Sequence, residues 1–116
     1  YDIYQYAIEE IKTHPITGIG IAKFQDKYGY FPHNIFLDIY VTFGFVLGNA
    51  YIIYLVWLGI KLYKIARIST EIKIFFIFMV ANVSKLLLSR TFIYEPTIWL
   101  FISLGNYILC FNNKKQ

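Results

Sequence analysis

Between Asp38 and Lys61 the chain passes through 22 residues, Ile39 to Ile60, without a single charge. A helix of that length covers roughly 33 Å, enough for the ~30 Å hydrocarbon layer of a bilayer. A water-soluble chain could hide such a segment only inside a large core. This one has 116 residues, 58% hydrophobic and only 16% charged, where a soluble domain carries about a quarter charged. There are too few charges for a surface wet on all sides. The composition therefore predicts an all-α, multi-pass transmembrane helical bundle.

Two further apolar runs join the first, giving expected spans over 39–62, 72–88 and 95–111. The third is short, since Thr97–Phe111 holds 15 residues, and residues from Phe92 would have to extend it as a tilted span. Residues 1–38 are more polar. Over 1–13, Ile3, Ala7, Ile8 and Ile11 fall on one face at helical spacing, with Glu9, Glu10 and Lys12 elsewhere, which predicts an amphipathic helix. It stops at His14-Pro15, because the residue before proline is driven out of the helical region. Residues 14–31 read as a loop, with Gly18, Gly20 and Gly29 giving conformational freedom.

Charge sets the orientation. Lys61, Lys64, Arg67 and Lys73 lie between spans one and two, and Lys114 and Lys115 lie in the tail. By the positive-inside rule both segments are cytoplasmic. Residues 1–38 and the turn 89–96 then face outward. The chain starts at Tyr1 and its one methionine is Met79, so it reads as the C-terminal piece of a longer protein.

Several chemistries find no support. One cysteine, Cys110, gives neither an intrachain disulfide nor a thiolate zinc site. His14 and His33 lack metal-ligand spacing. No Ser-His-acid order suggests hydrolysis, and Gly18-Ile19-Gly20 lacks the rest of a dinucleotide fingerprint. What remains on the outward side is His14, His33, Asn34, Asp38, Arg90, Tyr94 and Glu95, with Lys85 close by. His33 is either a proton acceptor for a hydroxyl nucleophile or a bystander beside the helix cap Asn34. Lys85 and Arg90 either hold an anionic lipid-linked substrate, or Lys85 snorkels to the interface while Arg90 pairs with Glu95. Gly44 and Gly48 form a small-xxx-small pattern suited to helix packing. Asn49, Asn82 and Asn106, one per span, are expected as interhelical hydrogen-bond partners.

The segment IKTHPITGIGIAKF, followed by PHNIFLDIYVTFGFVLG, resembles the C-terminal part of the O-antigen polymerase and O-antigen ligase family. The pieces are His14, Pro15, Gly18, Gly20 and Phe24, then His33, Asn34 and Leu37, then Gly44 and Gly48. The resemblance covers residues 1–50 well and the last two spans by topology alone. It implies a metal-independent glycosyltransferase without a cofactor, at the outer face of the bacterial cytoplasmic membrane. The donor would be a polyprenyl-diphosphate-linked glycan, and the acceptor another glycan or a lipid. By the same resemblance His33 would be the base or the residue that positions the acceptor. Asn34, Gly18 and Gly20 would contribute to substrate binding, while the family's diphosphate-binding arginines would precede Tyr1, and Arg90 and Lys85, singled out by their charge, are the candidate cations here. Membrane lipid and other polysaccharide-assembly proteins would be partners, and nucleic acid would not. The Ile-, Lys- and Tyr-rich composition favours a polymerase of surface or capsular polysaccharide. The alternative is a non-enzymatic membrane protein, such as a flippase or transporter segment, whose polar groups should cluster at a broken helix near mid-bilayer.

Overall fold

The computed structural model describes residues 2–85 and 91–114. These are all-helical, and five helices follow one another: α1 (Asp2–Thr13), α2 (Lys23–Tyr28), α3 (Ile35–Ala66), α4 (Thr70–Lys85) and α5 (Pro96–Asn113). α1 ends just before His14-Pro15, where proline forbids another turn. Its buried face is not the one expected. Ala7, Glu10 and Ile11 are buried, whereas Ile8 is exposed. Glu10 stands seven residues after Ile3 and three after Ala7, so helical geometry puts it on their side.

Residues 14–31 are not a plain loop, because the six-residue α2 lies within them. It buries Phe24 against Ala7, Ile11 and Val41 and closes on Gly29, whose N–H reaches the Gln25 carbonyl at 2.7 Å. α3 begins as its sequence dictates. The Asn34 side-chain oxygen accepts from the Phe36 N–H at 2.9 Å and the Leu37 N–H at 3.3 Å, satisfying donors that a helix start leaves open.

α3 is the spine, and the other helices pack along it. Leu58 and Leu62 meet Met79 of α4 and Phe101 of α5 in one apolar cluster. Ile35 and Ile39 meet Phe92 and Ile98 in another. The glycine that lets two helices approach is Gly105 of α5, where an added Cβ would lie 3.0–3.2 Å from Leu62 and Leu58. Gly44 and Gly48 do not serve that purpose: Gly48 faces Tyr40 and Ile39 of its own helix, and Gly44 faces residues 16–18. Of the three asparagines, Asn106 does bridge helices, donating to the Tyr54 hydroxyl of α3. Asn49 accepts from Tyr40 within α3 at 2.8 Å, and Asn82 donates to Phe78 of its own helix at 2.7 Å. Their nearest acceptors and donors are local, so neither crosses to a neighbour.

Among the described residues α3 is the one helix long and apolar enough to cross a membrane. Large apolar side chains point outward along it, with Val46, Leu47 and Ile53 each more than half exposed. α4 contributes 16 described residues and α5 18, roughly 24 and 27 Å of helix. The expected second span, 72–88, runs past Lys85 into residues outside those described.

Candidate functional site

The site is built around an interruption. At Gly44, α3 leaves helical geometry, with φ 71° and ψ −175°. In an unbroken helix the Val41 carbonyl would accept from the Phe45 N–H, and the Thr42 carbonyl from the Val46 N–H. Here Val41 accepts instead from the Ile19 N–H at 2.8 Å, and Thr42 from the Gly20 N–H at 3.1 Å. The Phe45 N–H turns to the Pro15 carbonyl at 2.7 Å. The segment 15–20 thus supplies backbone partners for two carbonyls and one N–H that the break frees, as buried peptide groups require. Only glycine fits on either side. A Cβ on Gly44 would sit 2.4 Å from the Ile16 carbonyl oxygen, and one on Gly18 (φ +64°) 2.5 Å from that of Thr42.

The same docking shapes a polar cavity of about 570 Å³ between α1 and α2, with Glu10, His14, Gly18, Lys23, Asp26 and Lys27 in its wall. Glu10 organises it. Its carboxylate accepts from the Lys27 ammonium and, at 2.6 Å, from the Tyr28 hydroxyl. The His14 Nδ1 lies 3.6 Å from its other oxygen and 3.0 Å from the Thr13 hydroxyl. Tyr28 also stacks on Tyr6 at 4.8 Å between ring centroids, joining α2 to α1.

The hydrogen bond from Lys27, then that from Tyr28, hold the Glu10 carboxyl below its ordinary value of 4.5. A depressed carboxyl stabilises the folded form above its unfolded value, and this contribution is lost as pH falls through the folded value. The α1–α2 contact is therefore expected to loosen below about pH 4.5, the ordinary value. The Glu10→Gln variant should lack that acid transition. The Tyr6 and Tyr28 ring resonances followed by NMR across pH would show it.

At the other flank stand His33 and Asn34. His33 is exposed and adopts a left-handed backbone, φ 53°, which few residues without glycine's freedom take up, histidine more often than most. Asn34 performs the helix-capping role. Near them Phe31 meets Tyr94 edge-on at 6.0 Å. The turn carrying Tyr94 is tied to α3 by Asp38, a buried carboxylate that accepts from the Thr91 hydroxyl and from the Phe92 N–H at 3.1 Å. Beneath lies an apolar cavity of about 350 Å³, bounded by Ile35 and Phe36 of α3, Val83 and Ser84 of α4, and Phe101 of α5.

Of the residues expected at a site, Gly18 and Gly20 reach α3 through their backbones, while His33 and Asn34 stand at its start. Lys85 closes α4 at the same end, because Ser84 and Ile35 share the apolar cavity. Its ammonium lies 3.5 Å from the Asn82 side-chain oxygen. Arg90 lies outside the described residues. No described residue hydrogen-bonds the His33 ring. The Glu10 cluster, the Asp38 tether and the Gly44 break were not foreseen. Counting three and seven back from Glu10 would have placed it on the buried face, but not beside Lys27 and Tyr28, and the other two likewise join segments distant in sequence. Comparison of the chain with protein-family models, with characterised proteins and with solved structures finds no match.

Proposed function

We propose that the chain forms part of a metal-independent glycosyltransferase of the bacterial cytoplasmic membrane, related to the O-antigen polymerases and ligases. In this reading residues 1–38 and the turn before α5 face outward, α3, α4 and α5 cross the membrane, and the C-terminus is cytoplasmic. The donor is a polyprenyl-diphosphate-linked oligosaccharide, and the acceptor another glycan or a lipid. His33 removes the proton from the acceptor hydroxyl as its oxygen attacks the anomeric carbon. The bond from that carbon to the diphosphate oxygen breaks, and polyprenyl diphosphate leaves with the bonding electrons. Lys85 and Arg90 offset the charge on the leaving diphosphate.

One observation carries this reading: an exposed histidine held in a left-handed conformation directly before a capped helix. Backbone strain of that kind is kept where surrounding structure imposes it, and such positions gather at functional sites. A surface imidazole there is open to a substrate hydroxyl.

A second reading has its own support, since a broken membrane helix is a transporter feature. In α3, however, the Val41 and Thr42 carbonyls and the Phe45 N–H freed at the break are bonded by residues 15–20, and Glu10, Lys27 and His33 all lie toward its N-terminal end. The test is His33→Ala in the full-length protein, with polymer length read on a gel. Loss of a general base should slow transfer by about 10²- to 10⁴-fold and leave only short chains. Polymer of unchanged length would remove His33 from the chemistry. Lipid-linked repeat units trapped on the cytoplasmic side would mark a flippase.

A further inference from the structure

We propose that the cavity between α1 and α2 binds uncharged saccharide residues of the substrate, away from the reacting hydroxyl. This rests on the glycosyltransferase reading for its biological ligand, but its chemistry follows from the wall. Two ammonium groups, Lys23 and Lys27, face two carboxylates, Glu10 and Asp26, so the formal charges balance. A phosphate entering there meets two carboxylates, and a metal cation meets two ammonium groups. A sugar hydroxyl both donates and accepts, so it suits Lys23 and Asp26 together.

The groups also divide by task. Glu10 is buried and occupied by Lys27 and Tyr28, which fixes the floor. Lys23 and Asp26 are exposed, are one turn apart on α2, and pair with no other described residue, so they are available to a ligand. His14 adds a ring that donates or accepts according to its tautomer. The volume, about 570 Å³, lies within the range of roughly 300–1,000 Å³ usual for small-molecule sites. Gly18, part of the wall, is backed against α3 beside Thr42 and Gly44. A glycan seated there therefore lies along the outer third of α3, the helix whose start carries His33.

The test uses the full-length protein in detergent and neutral trisaccharides, one of hexoses and one of N-acetylhexosamines, with binding read by saturation-transfer NMR. At least one should bind saturably, and Lys23→Ala/Asp26→Ala should weaken it tenfold or more. Both side chains are exposed, so an unchanged circular dichroism spectrum is expected of the double variant. His33→Ala should bind as the wild type does. The proposal is overturned if neither trisaccharide binds, if the double variant binds equally well, or if inorganic pyrophosphate displaces the sugar in a Lys23-dependent way. The outcomes separate from the reaction itself. Saccharide binding lost in the double variant, alongside normal polymer from His33→Ala, would keep the subsite and discard the base.

Discussion

Gly44→Ala is expected to destabilise the protein by about 3–5 kcal/mol and to free residues 15–20 from α3. Its φ of 71° with ψ of −175° belongs to a region open essentially to glycine alone. The new methyl group would also overlap the Ile16 carbonyl and the Gly18 N–H, at 2.4 and 2.7 Å. Neither is the tip of a flexible side chain, so backbone must move. Gly18→Ala meets the same obstacle from the opposite side, 2.5 Å from the Thr42 oxygen. Because each change opens one clasp, the double variant should lose little more than the worse single one, a clear departure from additivity. Denaturant unfolding followed by circular dichroism gives the energies, and proteolysis between Pro15 and Ala22 reports the release. Gly48→Ala serves as the contrast, since a Cβ there meets side chains, Tyr40 at 2.9 Å and Ile39 at 3.3 Å, rather than backbone. Wild-type stability in Gly44→Ala would show that the break is not held by residues 15–20.

Asp38→Ala carries the second large effect. The Thr91 hydroxyl and the Phe92 N–H both donate to this carboxylate, and Asp38 and Thr91 are each 4% exposed. Removing the acceptor strands two buried donors, each worth about 1–3 kcal/mol, so a loss of about 3 kcal/mol is expected. Asp38→Asn retains one acceptor oxygen and should lose less. Hydrogen exchange at the Phe92 amide is the direct readout: protection should fall by about 100-fold in Asp38→Ala, the equivalent of 2.7 kcal/mol at 1.36 kcal/mol per decade. Unchanged protection would mean that the packing of Phe92 against Ile35, Ile39 and Ile98 holds the turn unaided.

What the amino-acid order made legible was local. Asn34 ahead of Ile35 and an apolar run announces a cap, and His14-Pro15 announces a stop, because both effects act within a few residues. The apolar run after Asp38 likewise declares a helix suited to lipid. The break at Gly44 was hidden, since a glycine in such a run is equally compatible with an intact helix. Its partner segment lies some two dozen residues earlier, and nothing in either stretch alone names the other. Asp38 and Thr91 are 53 residues apart, so their pairing left no periodic trace. α2 was hidden for another reason. KFQDKY offers one apolar anchor, Phe24, and a helix of six residues is marginal until that ring finds a floor. Glu10 differs from these, because its register with Ile3 and Ala7 was present in the sequence.

The interruption at Gly44 also bears on how a bilayer would fit this chain. As one rod of 32 residues, α3 would measure roughly 48 Å and overshoot a hydrocarbon layer of ~30 Å by more than half. Divided at Gly44, it leaves Phe45–Ala66, a segment of roughly 33 Å that matches that thickness closely. The part before the break carries the buried polar groups Asp38 and Thr42, which belong above the lipid. Residues 15–20, bonded to α3 at 41–45, would then lie level with the water boundary where that helix emerges.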